Sequence, residues 1–238
     1  MGKSVFEGTV PRRCYMFMNL KTVFSFMRKV SFVGFIVVLS SCGDSGASAD
    51  SMSKMTDSRD GQTYEIVTIG NQVWMAENLN YEIDSSYCYN DSANYCDKYG
   101  RLYVWSAAMK ACPNGWHLPS SVEFSTLMEN VGNGAGRVLK SKSGWDDYEP
   151  YHSTGGAGYL VDGNGSDDYG FSALPAGGRS NDGGYFYNGY ETHFWSSTEE
   201  VMSDMILVCA MSLNSPSGWA GTDCTVKDAG FSVRCVKD

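Results

Sequence analysis

Hydrophobic and polar positions change period several times along this chain. Residues 30–39 (VSFVGFIVVL) form an unbroken apolar run behind Arg28 and Lys29. The run is too short for a free-standing bilayer span and has the length of a signal-peptide core. Residues 43–60 (GDSGASADSMSKMTDSRD) are small and polar, which predicts a flexible tether. Residues 62–69 (QTYEIVTI) alternate as a strand does, Gly70-Asn71 is a two-residue hairpin signal, and 72–75 return. Over 99–112, apolar positions at Leu102, Trp105, Met109 and Cys112 predict a helix, at least from Trp105, stopped by Pro113-Asn114-Gly115. Ser120 and Glu123 make an S-x-x-E capping box. Phe124, Leu127, Met128 and Val131 then recur at helical spacing, and Gly132 ends the element. Residues 133–190 are crowded with Gly, Asp, Asn, Ser and Tyr and read as long loops with short strands. Residues 192–198, 205–213 and 230–236 read as late strands. Two early helices, then loops and a terminal sheet, predict a loop-rich α+β domain over 61–238.

The apolar run leads into Leu39-Ser40-Ser41-Cys42. A Leu, two small residues and a Cys resemble the lipobox at which bacterial lipoprotein precursors are cut. Residues 1–41 are therefore expected to be a lipoprotein signal peptide, and 42–60 the tether. The Cys42 thiol would carry a diacylglycerol, and with a further acyl chain such as palmitate the anchor is stable. That places the chain in the cell envelope, at the outer membrane, facing either the periplasm or the cell surface. Beyond residue 41 the chain keeps 12 Lys+Arg against 26 Asp+Glu, a formal charge of −14. Such a surface lacks the clustered cations that release phosphate counterions, which excludes a nucleic-acid partner.

Cys14 lies in the leader and Cys42 in the lipobox. Six cysteines remain: Cys88, Cys96, Cys112, Cys209, Cys224 and Cys235. An even set in an exported chain predicts three disulfides, with fifteen pairings open. Proximity favours Cys88–Cys96, and Cys209–Cys224 would close across the late strands. Zinc does not suit the chain, because no C-x-x-C occurs and His117, His152 and His193 are scattered. No G-x-S-x-G or Ser-His-Asp pattern is present, so no catalytic centre is expected, and His117 is read as packing or capping. Asp162, Asn164, Ser166 and Asp168 put alternating oxygens in a Gly-rich turn, a donor set that suits Ca²⁺. The turn departs from the EF-hand pattern at Asp167 and Ala173, and no other cofactor is expected. Trp145, Tyr148, Tyr151, Tyr185, Tyr187, Tyr190 and Trp219 lie in the loops. They are the candidates for ring stacking on sugar C–H faces or on a protein partner.

Six segments carry a family resemblance: IGNQVWMAENLNY (69–81), YGRLYVW (99–105), CPNGWHLPSSVEF (112–124), DDYGFSALPAGGR (167–179), FWSST (194–198) and GFSVRCVKD (230–238). Together they resemble the Fibrobacter succinogenes major paralogous domain of envelope and secreted proteins, over about residues 57–238. That domain is in turn similar to the C-type-lectin-like fold of formylglycine-generating, sulfatase-modifying enzymes. HLPSSVEFSTL (117–127) resembles their L-P-T-x-x-E-W helix, and the GFSVRCV ending their last strand. The resemblance implies a C-type-lectin-like, disulfide-stapled domain in which Cys112–Cys235 ties the helical half to the last strand. It does not bring the chemistry, since the enzymes' close pair of C-terminal Cys is missing. The expected function is a lipid-anchored envelope module for binding or adhesion, with a polysaccharide or a surface protein as partner and no catalytic activity. The alternatives are a divergent sulfatase-modifying-type enzyme and a purely structural envelope protein.

Overall fold

The computed structural model describes residues 53–149, 160–202, 204–215 and 218–238. Met1–Ser48 and Ala49–Asp238 are separate units, and every described residue belongs to the second. Its elements are, in chain order, β1 (Ser53–Thr56), β2 (Thr63–Ile69), β3 (Gln72–Met75), β4 (Ser86–Tyr87), α1 (Ala93–Tyr99), β5 (Leu102–Val104), α2 (Trp105–Ala111), β6 (Trp116–His117), α3 (Ser121–Val131) and α4 (Ala135–Leu139). Then come β7 (Gly178–Arg179), β8 (Tyr185–Phe186), β9 (Glu191–Met202), β10 (Met205–Asn214), β11 (Ala220–Thr225), β12 (Gly230–Phe231) and β13 (Val236–Lys237).

The strands form three antiparallel sheets, ordered β1-β2-β3-β13-β6, β11-β10-β9 and β4-β5-β12-β7-β8. This corrects the expected α+β, C-type-lectin-like domain: the fold is mostly β and shows no C-type-lectin fold. The helices run from 5 to 11 residues. Helices that short do not hold alone in water, and here they rest on the sheets as patches of about one to three turns rather than forming a layer. The segment read as long loops with short strands holds the two-residue strands β7 and β8. Main-chain pairing makes those strands, so no hydrophobic alternation announces them.

Locally the patterning holds. Gly70 takes φ +63° at the β2–β3 turn, as a two-residue hairpin requires. At the start of α3, Glu123 N donates to Ser120 Oγ (3.3 Å) and Ser120 N to Glu123 Oε2 (2.7 Å), a complete capping box. Phe124, Leu127 and Val131 are buried. The domain begins earlier than the expected boundary at 61, because residues 53–56 of the supposed tether pair with β2. Buried Asp57 then takes the Arg59 guanidinium in a fork, Nε at 2.9 Å and Nη2 at 2.5 Å. Arg59 Nη2 also donates to Ala111 O at the end of α2 (2.7 Å). The Arg59 hydrogen bond holds the Asp57 carboxyl below its ordinary range.

The segment expected as one strand over 230–236 bends through the middle of the molecule. Its β12 end belongs to the third sheet and its β13 end to the first. Between them Trp195 N bonds Ser232 O (3.1 Å), Leu79 N bonds Val233 O (2.9 Å) and Met75 N bonds Cys235 O (3.1 Å). Arg234 is fully buried here. Its Nε donates to Asn78 Oδ1 (2.8 Å), Nη1 to Phe171 O and Nη2 to Ser172 O (2.9 Å). Its plane lies over the rings of Phe171 (4.4 Å) and Phe194 (5.2 Å). Asn78 Nδ2 in turn donates to Tyr99 O (2.8 Å). Four of the six family-like segments therefore meet at one guanidinium, and a fifth, 99–105, is tied in through Asn78. Burial pushes that group down to about 9, so it sits in the knot as a cation at neutral pH.

The expected disulfides are formed. Cys112–Cys235 joins the sixth segment to the same strand (Cα–Cα 5.8 Å), and Cys88–Cys96 closes a short loop (5.0 Å). Cys209–Cys224 links directly opposed residues of β10 and β11 (3.9 Å).

Candidate binding surface

The third sheet carries a row of rings on one face. Tyr87 lies on β4 at one edge and Tyr185 on β8 at the other. Arg179 on β7 is paired across strands with Tyr185. Between them stands Gly230 of β12, where an added Cβ would sit 3.1 Å from Arg179 Cβ. The missing side chain lets the Arg179 arm lie across the sheet. Its guanidinium carbon comes 4.0 Å from the Tyr87 ring centre and 5.9 Å from that of Tyr185.

The Cys88–Cys96 loop, with a 3-10 turn at Tyr89–Asp91 and then α1, brings up more rings. Tyr89 lies 5.2 Å from Tyr95 and 5.1 Å from Tyr185, and Tyr95 stacks on Tyr99 at 5.9 Å. Tyr185 Oη donates to Asp91 Oδ1 (2.6 Å). Partial burial and that carboxylate push the Tyr185 phenol up. Tyr87, Tyr89, Tyr95 and Tyr185 are half-buried and belong to neither apolar core cluster. The result is a rigid ledge of tyrosines around one arginine, pinned by a disulfide.

On the other side of α1 lies a cleft of about 270 Å³, lined by Tyr64, Glu77, Asn80, Asp97, Lys98 and Tyr99 among others. Tyr64 Oη accepts from Asn80 N (3.1 Å), and burial pushes this phenol up to about 12. It therefore stays a hydrogen-bond donor at any physiological pH.

The loop aromatics divide. Trp145, expected at the surface, is a core residue: it is 3% exposed and its Nε1 donates to Ala173 O (3.0 Å) and Ser141 Oγ (3.2 Å). A buried indole needs an acceptor, and the chain's own carbonyl supplies it. Tyr148, Tyr187, Tyr190 and Trp219 are exposed. The 145–148 loop meets the 187–190 turn through Asp146 N donating to Gly189 O (2.8 Å). Cys42, Tyr151 and His152 lie outside the described residues.

The Ca²⁺ reading fares poorly in the geometry. Asp162 Oδ1 accepts from Asn164 N (2.9 Å) and Nδ2 (2.8 Å), and Asn164 Oδ1 accepts from Trp145 N (3.1 Å). Ser166 N and Asp168 N both bond carbonyls near α4. The Lys140 ammonium also donates into this loop, to Gly163 O (2.7 Å), and burial pushes it down to about 8. The Asp162 and Asn164 oxygens serve the loop's own turns, and the cation beside them is a lysine. Among the described residues, the one cluster of metal-ligating types is Glu200, Cys209 and Cys224, and its sulfurs are joined to each other.

Two histidines find partners that the sequence concealed. His117 Nε2 meets Glu123 Oε1 (2.8 Å) and Nδ1 meets Asp238 Oδ1 (2.7 Å), so it extends the capping box to the C-terminal residue. His193 Nδ1 bonds Ser212 Oγ (2.8 Å), and Nε2 lies 3.3 Å from Glu191 Oε2 without hydrogen-bond geometry. This Ser-His-Glu line resembles a nucleophile with its base. Ser212 is 7% exposed, however, and does not line the cleft beside α1. It is a cross-strand pair of β9 and β10.

Sequence reading missed Tyr87, Tyr89, Tyr95 and Arg179. The signal was present in SSYCYNDSANYC (85–96), where tyrosines flank both half-cystines. Only the fold adds Tyr185 and Arg179 to them. Residues 67–237 match the family model described as the Fibrobacter succinogenes major domain. No curated protein matches, and no solved structure does.

Proposed function

The chain belongs to the Fibrobacter succinogenes major domain family, and from that premise we propose that it is a non-catalytic binding module, lipid-anchored in the cell envelope through Cys42, with carbohydrate as its ligand class. The observation that carries the reading is the ledge: Tyr95, Tyr89 and Tyr185 in ring contact at 5.2 and 5.1 Å, outside the core and fixed by the Cys88–Cys96 loop. Tyrosine has only two χ angles, and here they are held by neighbours, so little freedom is lost on contact. Flat rings take the C–H faces of pyranoses, and carboxylates such as Asp91 accept sugar hydroxyls. A single shallow ledge binds weakly. Many copies on one membrane recover affinity against a polymer.

The test is retention of the full chain, in mild detergent, on insoluble cellulose and xylan, beside Tyr89→Ala and Tyr185→Ala. Wild type is retained and each variant loses at least about fivefold. Equal partitioning of all three on every polysaccharide removes the reading. The anchor is tested separately: Cys42→Ser leaves the membrane fraction, and wild type incorporates labelled palmitate. Wild type without label would sink the lipobox reading.

A further inference from the structure

We infer that the ledge selects sugars bearing a carboxylate, with Arg179 as the residue that binds it; this rests on the ledge being the carbohydrate site. The other guanidinium groups that are at least half-buried, or that pair with a carboxylate, find their acceptors within the domain. Arg59 holds the Asp57 carboxylate in a fork. Arg101 donates to Ser86 Oγ (2.9 Å) and pairs with Glu82 (3.3 Å). Arg234 is bound to Asn78, Phe171 and Ser172. Arg179 is half-buried as well, yet among the described residues it takes part in no ion pair, and its Nε is shielded from water without an acceptor.

A shielded N–H with no acceptor leaves the guanidinium short of partners, so a carboxylate that reaches the accessible part of this half-buried group is bound the more favourably. The adjacent carboxylates do not fill the role. Asp91 accepts the Tyr185 hydroxyl. Asp182, on the β7–β8 turn, accepts from Ser180 Oγ and from Gly184 N (3.1 Å). The Tyr87 ring below fixes the plane of the guanidinium. A planar fork held flat matches a planar carboxylate, with two parallel N–H···O bonds. The acidic surroundings repel a polyanion in proportion to its charge density, so a polymer with one carboxylate per sugar is favoured over a more heavily charged sulfated one. A uronic acid within a sugar chain supplies both parts: a ring face for Tyr185 and Tyr89, and a carboxylate for Arg179.

Affinity electrophoresis of the full chain tests this. The gels contain polygalacturonate, the same polymer fully methyl-esterified, or dextran sulfate. Wild type should be retarded by the free acid at a concentration at least tenfold lower than by the ester, and not by dextran sulfate. Arg179→Gln should lose that preference while still responding to the ester, and Arg179→Lys should keep part of it. Tyr89→Ala should weaken both responses. Unchanged melting of Arg179→Gln excludes misfolding as the cause. Equal retardation by acid and ester, a preference that survives Arg179→Gln, or equal retardation by dextran sulfate overturns the carboxylate inference alone. No retardation of wild type by any polymer overturns the ledge reading together with it.

Discussion

Arg234 and Arg179 both lie on aromatic rings, and the two regions they organise have opposite character. In the C-terminal knot the guanidinium is fully buried, stacked near Phe171 and Phe194, with acceptors for Nε, Nη1 and Nη2. On the ledge it is half-buried, stacked on Tyr87, with a shielded Nε that nothing among the described residues accepts from. The same side chain on the same kind of surface is thus a structural tie in one place and an open donor in the other. What separates them is the completeness of the acceptor set, not the stacking. A buried polar group whose partners are all internal has nothing left for a ligand.

The comparison is broken most directly by exchanging each arginine for a neutral residue. Arg234→Met strands three acceptors at about 1–3 kcal/mol each. It should therefore cost on the order of 5 kcal/mol, read as a large loss in urea midpoint or as failure to accumulate folded protein. Arg179→Gln removes half-buried ring contacts, the nearer to Tyr87 and the farther to Tyr185, and should stay within about 1 kcal/mol of wild type. Similar losses from the two would erase the distinction.

The disulfides sharpen it at smaller magnitude. Cys112–Cys235 spans 123 residues beside the knot, and Cys88–Cys96 spans 8 under the ledge. In the chain-entropy account the long closure contributes about 5 kcal/mol and the short one about 2.5. Removing the short bridge as a double Ser variant should leave melting cooperative but weaken polysaccharide retention, because the Tyr89–Tyr95 contact loses its closure. Removing the long one should lower melting far more. Denaturation and retention measured on the same samples decide.

The smallest effect concerns His117, close to the knot's strand yet at the surface. Burial acts to lower this histidine, but its hydrogen bonds to Asp238 and Glu123 outweigh that and raise it. Its contribution is then fully present below the unfolded value of about 6.5 and lost as pH rises through the higher folded value. Glu123 is lowered on balance: burial acts against it, but the Ser120 backbone and His117 hydrogen bonds prevail. Its contribution is lost as pH falls below the ordinary carboxylate range. Both groups are partly exposed, so the whole effect stays under about 1 kcal/mol after solvent screening. His117→Gln should flatten the decline in stability above pH 6.5 and leave ledge binding untouched. A variant with an unchanged pH profile would remove His117 from the account.

Much of the local structure is legible in residue order. The β2–β3 hairpin, the capped α3 and the even set of six cysteines follow from side chains within a few positions of each other, where spacing and short-range hydrogen bonds decide. The six family-like segments are legible too, although their meaning shifts: four converge on Arg234, a fifth joins through Asn78 and the sixth arrives by Cys112–Cys235. Apart from Arg179, which closes the 167–179 segment, they mark what holds the domain together.

The layer arrangement was not legible, because strands as short as β7, β8 and β12 arise from main-chain pairing with distant partners and leave no periodic mark. Nor was the division of the aromatic residues. Trp145 and Tyr185 occur in similar Gly- and Asp-rich company, yet one donates to a core carbonyl 28 residues away and the other reaches Asp91 across 94 residues. The acceptor of Arg234 Nε lies 156 residues away, at Asn78. Whether a ring is covered, or a guanidinium satisfied, depends on what the fold brings from that distance. Residue order determined the short-range elements, the cysteine count and the family. Tertiary structure alone decided which tyrosines face solvent and which arginine keeps a donor free.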